Sequence, residues 1–242
     1  MQPATTLRPR SGTAVGTLQE SAAHRMGAPI LSLVQPMGEF AVKHIIATGL
    51  LSTALAFLAF PAVAALTSGE VAPDFSAKAS LAGKEFDFSL AAALKQGPVV
   101  VYFYPSAYTG GCNIEAHTFA ENKDKFDAVG ATIIGVSRDS IARLNEFSAD
   151  PDYCAGRFPV ASDADGKIAA AYKLKALELK ETIKDSRGQE VDHPLTERTT
   201  FVINRDGKIV ATMSSSEDKI SPADHVTKSL AAVAALQNAQ PK

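Results

Sequence analysis

Apolar and polar positions follow two different periods in the middle of the chain. The run VVVYFY (99–104) is continuously apolar, as is typical of a strand buried on both faces. ATIIGVS (131–137) is a second run of this kind. Between them, apolar residues of NIEAHTFAENKDKFDAVG (113–130) recur on one helical stripe, and Gly130 is a stop signal. A strand–helix–strand order of this length predicts a parallel pair of strands.

The flanking segments carry weaker patterns that complete an α/β domain, in which a central sheet of parallel and antiparallel strands has helices on both faces. The predicted elements are a hairpin within 69–89, a helix over 90–96, a helix capped by Asp139 and Ser140 that runs through Phe147 and ends at Asp150-Pro151, a short strand at 158–163, a short helix over 165–174, a β-rich excursion or long loop over 175–195, a hairpin of RTTFVIN and KIVATM around Asp206-Gly207, and an amphipathic helix over about 221–238.

The N-terminal part has the pattern of a targeting segment. From Met37, MGEFAVK is followed by the apolar stretch HIIATGLLSTALAFLAF and by PAVAA. This is the three-part pattern of a secretory signal peptide, which predicts residues 37–64 as the signal, cleavage after Ala64, and export to a bacterial periplasm. An uncleaved membrane anchor is the alternative, because the uncharged run 44–69 is long enough to span a bilayer. Residues 1–36 are a disordered or start-site extension, and 65–242 form the remaining domain.

Charge and cysteine content narrow the function classes. The chain has 24 Lys and Arg against 26 Asp and Glu, a formal net charge of −2, and no basic cluster, which argues against a nucleic acid or an anionic lipid as partner. Its 2 cysteines, Cys112 and Cys154, both lie in the part predicted to be exported, where an even count permits a disulfide. They form no C-x-x-C pair, and the histidines have no zinc-type spacing.

Cys112 stands in PSAYTGGC (105–112), directly after the first buried strand. A cysteine there is either a small buried hydrophobe or a reactive thiol. The start of the following helix offers unpaired N–H groups and a dipole that stabilise an anion, so we predict a lowered thiol pKa. Thr109 can cap that helix or donate to a bound oxygen, and Pro105 stiffens the turn.

The spacing of Pro105, Thr109 and Cys112 resembles the P-x-x-x-T-x-x-C signature of the peroxiredoxins, the AhpC/TSA superfamily. The string FYPSAYTGGCNIEAHTF is similar to the bacterioferritin-comigratory-protein, or peroxiredoxin Q, branch, and the likeness continues through GVSRDS, FPVASDADGKIAAAY and RTTFVINRDGKI. The resemblance implies a thioredoxin-like fold with an N-terminal hairpin extension. It also implies a thiol-dependent peroxidase that reduces hydrogen peroxide and organic hydroperoxides without a metal or organic cofactor.

Carried over residue by residue, the resemblance implies that Cys112 is the peroxidatic nucleophile, which becomes a sulfenic acid. Thr109 would hydrogen-bond the peroxide, and Pro105 would shield the sulfenate. Arg198 matches the family's arginine, whose guanidinium would stabilise the thiolate and hold the peroxide oxygens. Glu115 also matches a common family residue, although a solvated acid of the first helical turn fits its position equally well.

Two positions depart from the branch. Gly110 stands where a proline often follows the threonine, and His117 stands where many members carry a resolving cysteine. Cys154 is then the candidate resolver, as in members that place this cysteine near the end of the next helix. The alternative is a buried or spare Cys154, with an external thiol resolving Cys112.

The resemblance implies a peroxide substrate and a thiol reductant, which would be a thioredoxin-like protein, a glutaredoxin or glutathione, and we expect a monomer or weak dimer. A thioredoxin-dependent type of peroxidase is therefore our main hypothesis. An exported thioredoxin-like thiol–disulfide oxidoreductase is a second, disfavoured by the missing C-x-x-C. An inactive binding module on the same fold is a third, disfavoured by the complete set of Pro105, Thr109, Cys112 and Arg198.

Overall fold

A computed structural model of the protein describes residues 64–238. The predicted extension 1–36 and all but the last residue of the predicted signal peptide lie outside these residues. None of the helices within 64–238 combines the length and the apolar character needed to cross a membrane.

The strands form one seven-stranded sheet and two short ribbons. The sheet has the order β11-β10-β3-β4-β5-β1-β2, in which β3, β4 and β5 are parallel and the remaining neighbours are antiparallel. In chain order the strands are β1 Ser76–Leu81, β2 Lys84–Ser89, β3 Val99–Phe103, β4 Thr132–Ser137, β5 Val160–Ser162, β6 Ala176–Leu177, β7 Ile183–Lys184, β8 Glu190–Val191, β9 Leu195–Thr196, β10 Thr199–Ile203 and β11 Ile209–Ser214.

Helices cover both faces of this sheet, as the sequence predicts. Apolar residues of α2, α3 and α6 pack in one core cluster, and those of α1 and α4 pack in a second cluster on the other face. The helices are α1 Leu90–Gln96, α2 Gly110–Ala128, α3 Ile141–Ala149, α4 Lys167–Ala171, α5 Ser215–Asp218 and α6 Pro222–Asn238.

The central strand β3 shows why the chain folds around this sheet. All five of its residues are buried. Val100 and Tyr102 face one cluster, while Val99, Val101 and Phe103 face the other. A strand with both faces covered excludes water from the sheet centre, and its carboxyl end opens into the loop that carries PSAYTGGC.

Helices α4 and α5 and the cap of α3 differ from the sequence predictions. Helix α5 was not predicted, whereas α3 ends at Ala149, directly before Asp150-Pro151, as predicted. Helix α4 is shorter than 165–174, because the Asp163 carboxylate accepts from the N–H groups of Ile168 and Ala169 and fixes the first turn there. At α3 the cap is Ser140 alone, whose hydroxyl accepts from the Arg143 N–H, and Asp139 points elsewhere.

Candidate active site

Cys112 is the third residue of α2, at the carboxyl end of the central strand. The Thr109 residue before the helix has extended backbone geometry but makes no side-chain capping bond. Its hydroxyl lies 3.0 Å from the Cys112 Sγ and 2.8 Å from the carbonyl oxygen of Ser106. Thr109 therefore does not cap α2. Its hydroxyl is directed at the Cys112 sulfur, where an oxygen bound at the sulfur would also lie within its reach.

Arg198 reaches the same sulfur from another part of the chain. It directly precedes β10, whose Thr199 pairs with Phe103 at the end of β3. This register places the guanidinium beside the start of α2, with Nη2 3.2 Å from the Cys112 Sγ. The other terminal nitrogen, Nη1, donates to Oε2 of the buried Glu115. Glu115 is therefore a buried partner of Arg198 and not a solvated first-turn acid.

The balance of charge and burial at the sulfur differs from the sequence prediction. Burial raises the pKa of the Cys112 thiol above its ordinary value, while Arg198 and Thr109 act in the opposite direction. The prediction of a lowered pKa was wrong because it counted the field of the helix start and left out the near-complete burial of the side chain. Burial likewise raises the pKa of Glu115 to about 7, against the attraction of Arg198.

Cys154 lies in the turn after α3 and is fully buried as a free thiol, like Cys112. Both thiols belong to the same apolar cluster. The neighbouring Tyr153 ring packs edge-on against Tyr108 of the active-site loop, with 5.5 Å between ring centroids. Burial, together with Asp150, raises the pKa of Cys154 well above its ordinary value. The structure thus brings Thr109, Arg198 and Cys112 into contact and places the turn of Cys154 against their loop.

Pro105 is half-buried where β3 passes into the loop. The loop that follows is held by the buried carboxylate of Asp139, which the sequence predicted as a helix cap. Asp139 accepts from the Ala107 N–H at 2.7 Å and from the Ser106 hydroxyl at 2.9 Å, and it contacts His193 Nε2 at 3.0 Å. No residue spacing signals these contacts, because each joins segments far apart in the chain.

The segment 175–195, predicted as a β-rich excursion or a long loop, contains two-residue strands joined by loops and docks on this same loop. The Ser186 N–H donates to the Tyr108 carbonyl at 2.9 Å. The Arg187 guanidinium carbon lies 3.3 Å from the centroid of the Tyr108 ring, in a cation–π contact. Asp185 binds Arg143 at 2.8 Å, and Arg143 in turn donates to the Ala107 carbonyl. The segment therefore supports the backbone on which the thiol stands.

Gly111 gives a specific test of the guanidinium position. A Cβ at Gly111 would lie 3.1 Å from Nη2 of Arg198, the nitrogen that contacts the sulfur, and 3.4 Å from Cγ of Pro222. We expect Gly111→Ala to displace Arg198 by a few tenths of an ångström and to lower the rate of Cys112 oxidation by about tenfold. Stopped-flow measurement of the reaction with hydrogen peroxide reports this rate.

Gly110→Ala is the matched control, because a Cβ at Gly110 meets no heavy atom within 4 Å. Both substitutions stiffen the same helix start by one methyl group. A rate loss of the same size in the two variants would show that backbone stiffening, and not the contact with Arg198, is responsible.

No group of three or more His, Cys, Asp or Glu side chains within residues 64–238 is arranged to hold a metal ion. The chemistry available at the described site is that of a buried thiol with two hydrogen-bond donors directed at it. Such donors stabilise negative charge on sulfur or on an oxygen that reacts with it.

The comparisons with known proteins identify the family of the chain. The family model described as the AhpC/TSA family matches residues 68–212. Peroxiredoxin Bcp of Bacillus subtilis is 30% identical over 162 residues, which cover 67% of this chain and 91% of the relative. Peroxiredoxin Bcp of Xanthomonas campestris is 34% identical over 137 residues, with 57% of this chain and 76% of the relative covered.

Solved structures show the same relationship. Peroxidoxin BcpB from Mycobacterium tuberculosis superimposes with a TM-score of 0.58 at 30% identity, covering 71% of this chain and 98% of the other. Xanthomonas campestris peroxiredoxin Q gives a TM-score of 0.51 at 32% identity, covering 65% and 89%. They confirm the thioredoxin-like fold. The chain therefore belongs to the AhpC/TSA family, as a thiol peroxidase of the peroxiredoxin Bcp and Q type.

Proposed function

We propose that the protein reduces hydrogen peroxide and organic hydroperoxides with Cys112 as the peroxidatic thiol. The observation that carries this proposal is the pair of donors at the sulfur, Thr109 Oγ1 at 3.0 Å and Arg198 Nη2 at 3.2 Å. The Cys112 thiolate attacks one peroxide oxygen, and the O–O bond breaks. The sulfur becomes a sulfenic acid, and the departing hydroxide or alkoxide takes up a proton.

The two donors have a specific part in this step. Negative charge moves from the sulfur to the leaving oxygen, so donors that face the sulfur remain close to the charge throughout. The Thr109 hydroxyl has one hydrogen, for which the Cys112 sulfur and the Ser106 carbonyl are both within reach, and it can turn that hydrogen to a peroxide oxygen. Organic hydroperoxides are included because one similar structure, of the Xanthomonas campestris bacterioferritin comigratory protein, is described by its alkyl peroxide reduction activity.

Cys154 is the resolving cysteine in this proposal. The sulfenic acid of Cys112 condenses with the Cys154 thiol to a disulfide, and water leaves. A thiol reductant, either a thioredoxin-like protein, a glutaredoxin or glutathione, then restores both thiols. The two sulfurs belong to one apolar cluster, and the turn of Cys154 packs on the active-site loop through Tyr153 and Tyr108.

We propose that the first turn of α2 and the turn 151–157 open when the two buried thiols join. Two contacts hold that turn on α2. His117 Nδ1 lies 3.0 Å from the Asp152 carbonyl, and Arg157 pairs with Asp124. Both contacts are exposed, and exposed pairs contribute little free energy, about 0–1 kcal/mol each. These two contacts therefore add little to the free energy needed to open the turn.

We further propose that residues 37–64 direct export to the periplasm and are removed, which leaves 65–242 as the working domain. The support is the three-part pattern of the segment and the placement of both cysteines after it.

Intact and peptide mass spectrometry of the protein recovered from the periplasm of a bacterial host tests both proposals. The expected intact mass is that of a chain that begins at Ala65. After one equivalent of hydrogen peroxide, the reduced protein is expected to contain a Cys112–Cys154 disulfide. A sulfenic or sulfinic Cys112 together with a reduced Cys154 would support peroxidase activity at Cys112 and exclude Cys154 as the resolving cysteine. An unmodified Cys112 would exclude the peroxidase, and a mass that retains residues 37–64 would exclude cleavage.

A further inference from the structure

A buried histidine lies beside Glu115, the carboxylate partner of Arg198. His225 of α6 is fully buried. Its Nδ1 is 2.9 Å from the Thr200 hydroxyl, and its Nε2 is 2.9 Å from the Ser215 hydroxyl. Each hydroxyl can donate or accept, so a neutral ring has a partner at both nitrogens.

Glu115 has one oxygen bound and one oxygen free. Oε2 accepts from Arg198, while Oε1 is buried with no hydrogen-bond partner among the described residues. A buried acceptor without a partner costs free energy comparable to a lost hydrogen bond. Nδ1 of His225 lies 3.9 Å from this free oxygen, so a small rotation of the carboxyl group brings the two atoms into hydrogen-bond range.

The surroundings keep the His225 ring uncharged. Burial and the nearby Arg198 lower the pKa of His225 to about 4, and Asp218 and Asp224 act weakly in the opposite direction. A neutral ring adds no second cation beside Arg198. When the Ser215 hydroxyl donates to Nε2, the ring proton is on Nδ1 and its N–H dipole faces Thr200 and Glu115.

We propose that His225 is a positioning residue for the peroxidase reaction, with its Nδ1–H group shared between the Thr200 hydroxyl and Oε1 of Glu115. Oε2 then stays on Arg198, and Nη2 of Arg198 stays on the Cys112 sulfur. The contacts form one chain, from His225 through Glu115 and Arg198 to Cys112. The role rests on the proposed function, since it concerns the thiol that reacts with peroxide.

A double-mutant cycle with His225→Phe and Glu115→Met tests this chain of contacts, because methionine has neither carboxyl oxygen. We expect His225→Phe to lower the single-turnover rate of Cys112 oxidation by about tenfold when Glu115 is present, and by less than about twofold in the Glu115→Met protein. A histidine that only fills space would lower the rate by the same factor in both backgrounds. That outcome would overturn the proposal.

Further variants cover the case in which the phenylalanine protein does not fold. His225→Asn retains a donor near the Nδ1 position and is expected to keep most of the rate. Ser215→Ala removes the partner of Nε2 and is expected to lower the rate by about threefold only while Glu115 is present. Equal losses with and without Glu115 in these variants would also contradict the positioning role.

Alkylation of Cys112 by iodoacetamide, measured across the same cycle, separates this inference from the proposed function. Alkylation needs a thiolate but no peroxide, so it reports the hold of Arg198 on the sulfur by itself. We expect the same non-additive pattern there. If the variants are alkylated with this pattern but the protein does not react with peroxide, the proposed peroxidase activity is refuted, while the proposed positioning role of His225 is supported.

Discussion

Replacing Cys112 by serine removes the reaction with hydrogen peroxide entirely, whereas replacing Cys154 by alanine leaves the first oxidation step within about twofold and stops disulfide formation. A serine hydroxyl at position 112 is not ionised at any pH at which the protein is folded, so no nucleophile remains. The two hydrogen bonds to the Cys112 sulfur come from Thr109 and Arg198 and do not involve Cys154. Stopped-flow oxidation followed by mass spectrometry measures both steps.

Alanine is preferred to serine at position 154, because a hydroxyl at this fully buried apolar position would add the cost of an unpaired polar group. Circular dichroism of the variant checks that the loss of sulfur has not unfolded the domain. Full turnover of Cys154→Ala with the same thiol reductant would show that an external thiol resolves Cys112 directly. In that case Cys154 is a core residue, and the single reactive cysteine is Cys112.

Much of the fold could be predicted from the sequence because each piece depends on local patterns. VVVYFY and ATIIGVS are continuous apolar runs and became the parallel strands β3 and β4. The turn around Gly207 lies between β10 and β11, where the backbone has φ of 76°. The part of the site that could be predicted is equally local, since Pro105, Thr109 and Cys112 share one loop and the start of one helix.

The remaining part of the site depends on contacts between distant segments. Asp139 has the sequence context of a helix cap, and only the folded chain shows its carboxylate bound to the backbone of the active-site loop. His225 is a lone histidine in an amphipathic helix, and nothing in its neighbours along the chain points to Glu115. The raised pKa of Cys112 has the same origin, because burial is a property of the assembled core and is absent from the motif.

These contacts imply that the reactivity of Cys112 is set by a balance of opposing effects. Burial disfavours the thiolate and raises the thiol pKa, and Arg198 is the largest influence in the other direction. Glu115 binds the other terminal nitrogen of the same guanidinium, and its own pKa of about 7 places its ionisation close to neutral pH. Arg198 is therefore the residue on which both the thiolate and the leaving oxygen depend.

Arg198→Met lowers the rate of Cys112 oxidation at neutral pH by about 10²–10³-fold, the usual cost of removing a donor directed at developing charge. Methionine keeps much of the volume of the arginine but supplies neither charge nor hydrogen bonds. Arg205→Met is the matched control, because Arg205 is an exposed arginine whose described hydrogen bond is to the Gln96 carbonyl, away from the sulfur. We expect the control to react at the rate of the unmodified protein.

The pH dependence separates the two contributions of Arg198. The thiolate is the reactive form, so the rate rises with pH through the pKa of Cys112. Loss of the largest influence that lowers this pKa moves the midpoint to higher pH in Arg198→Met. Above both midpoints every Cys112 is a thiolate, and the difference in rate that remains there is the contribution of Arg198 to the transition state alone. An unchanged midpoint with a rate loss below about threefold would show that Arg198 acts on neither the thiolate nor the peroxide.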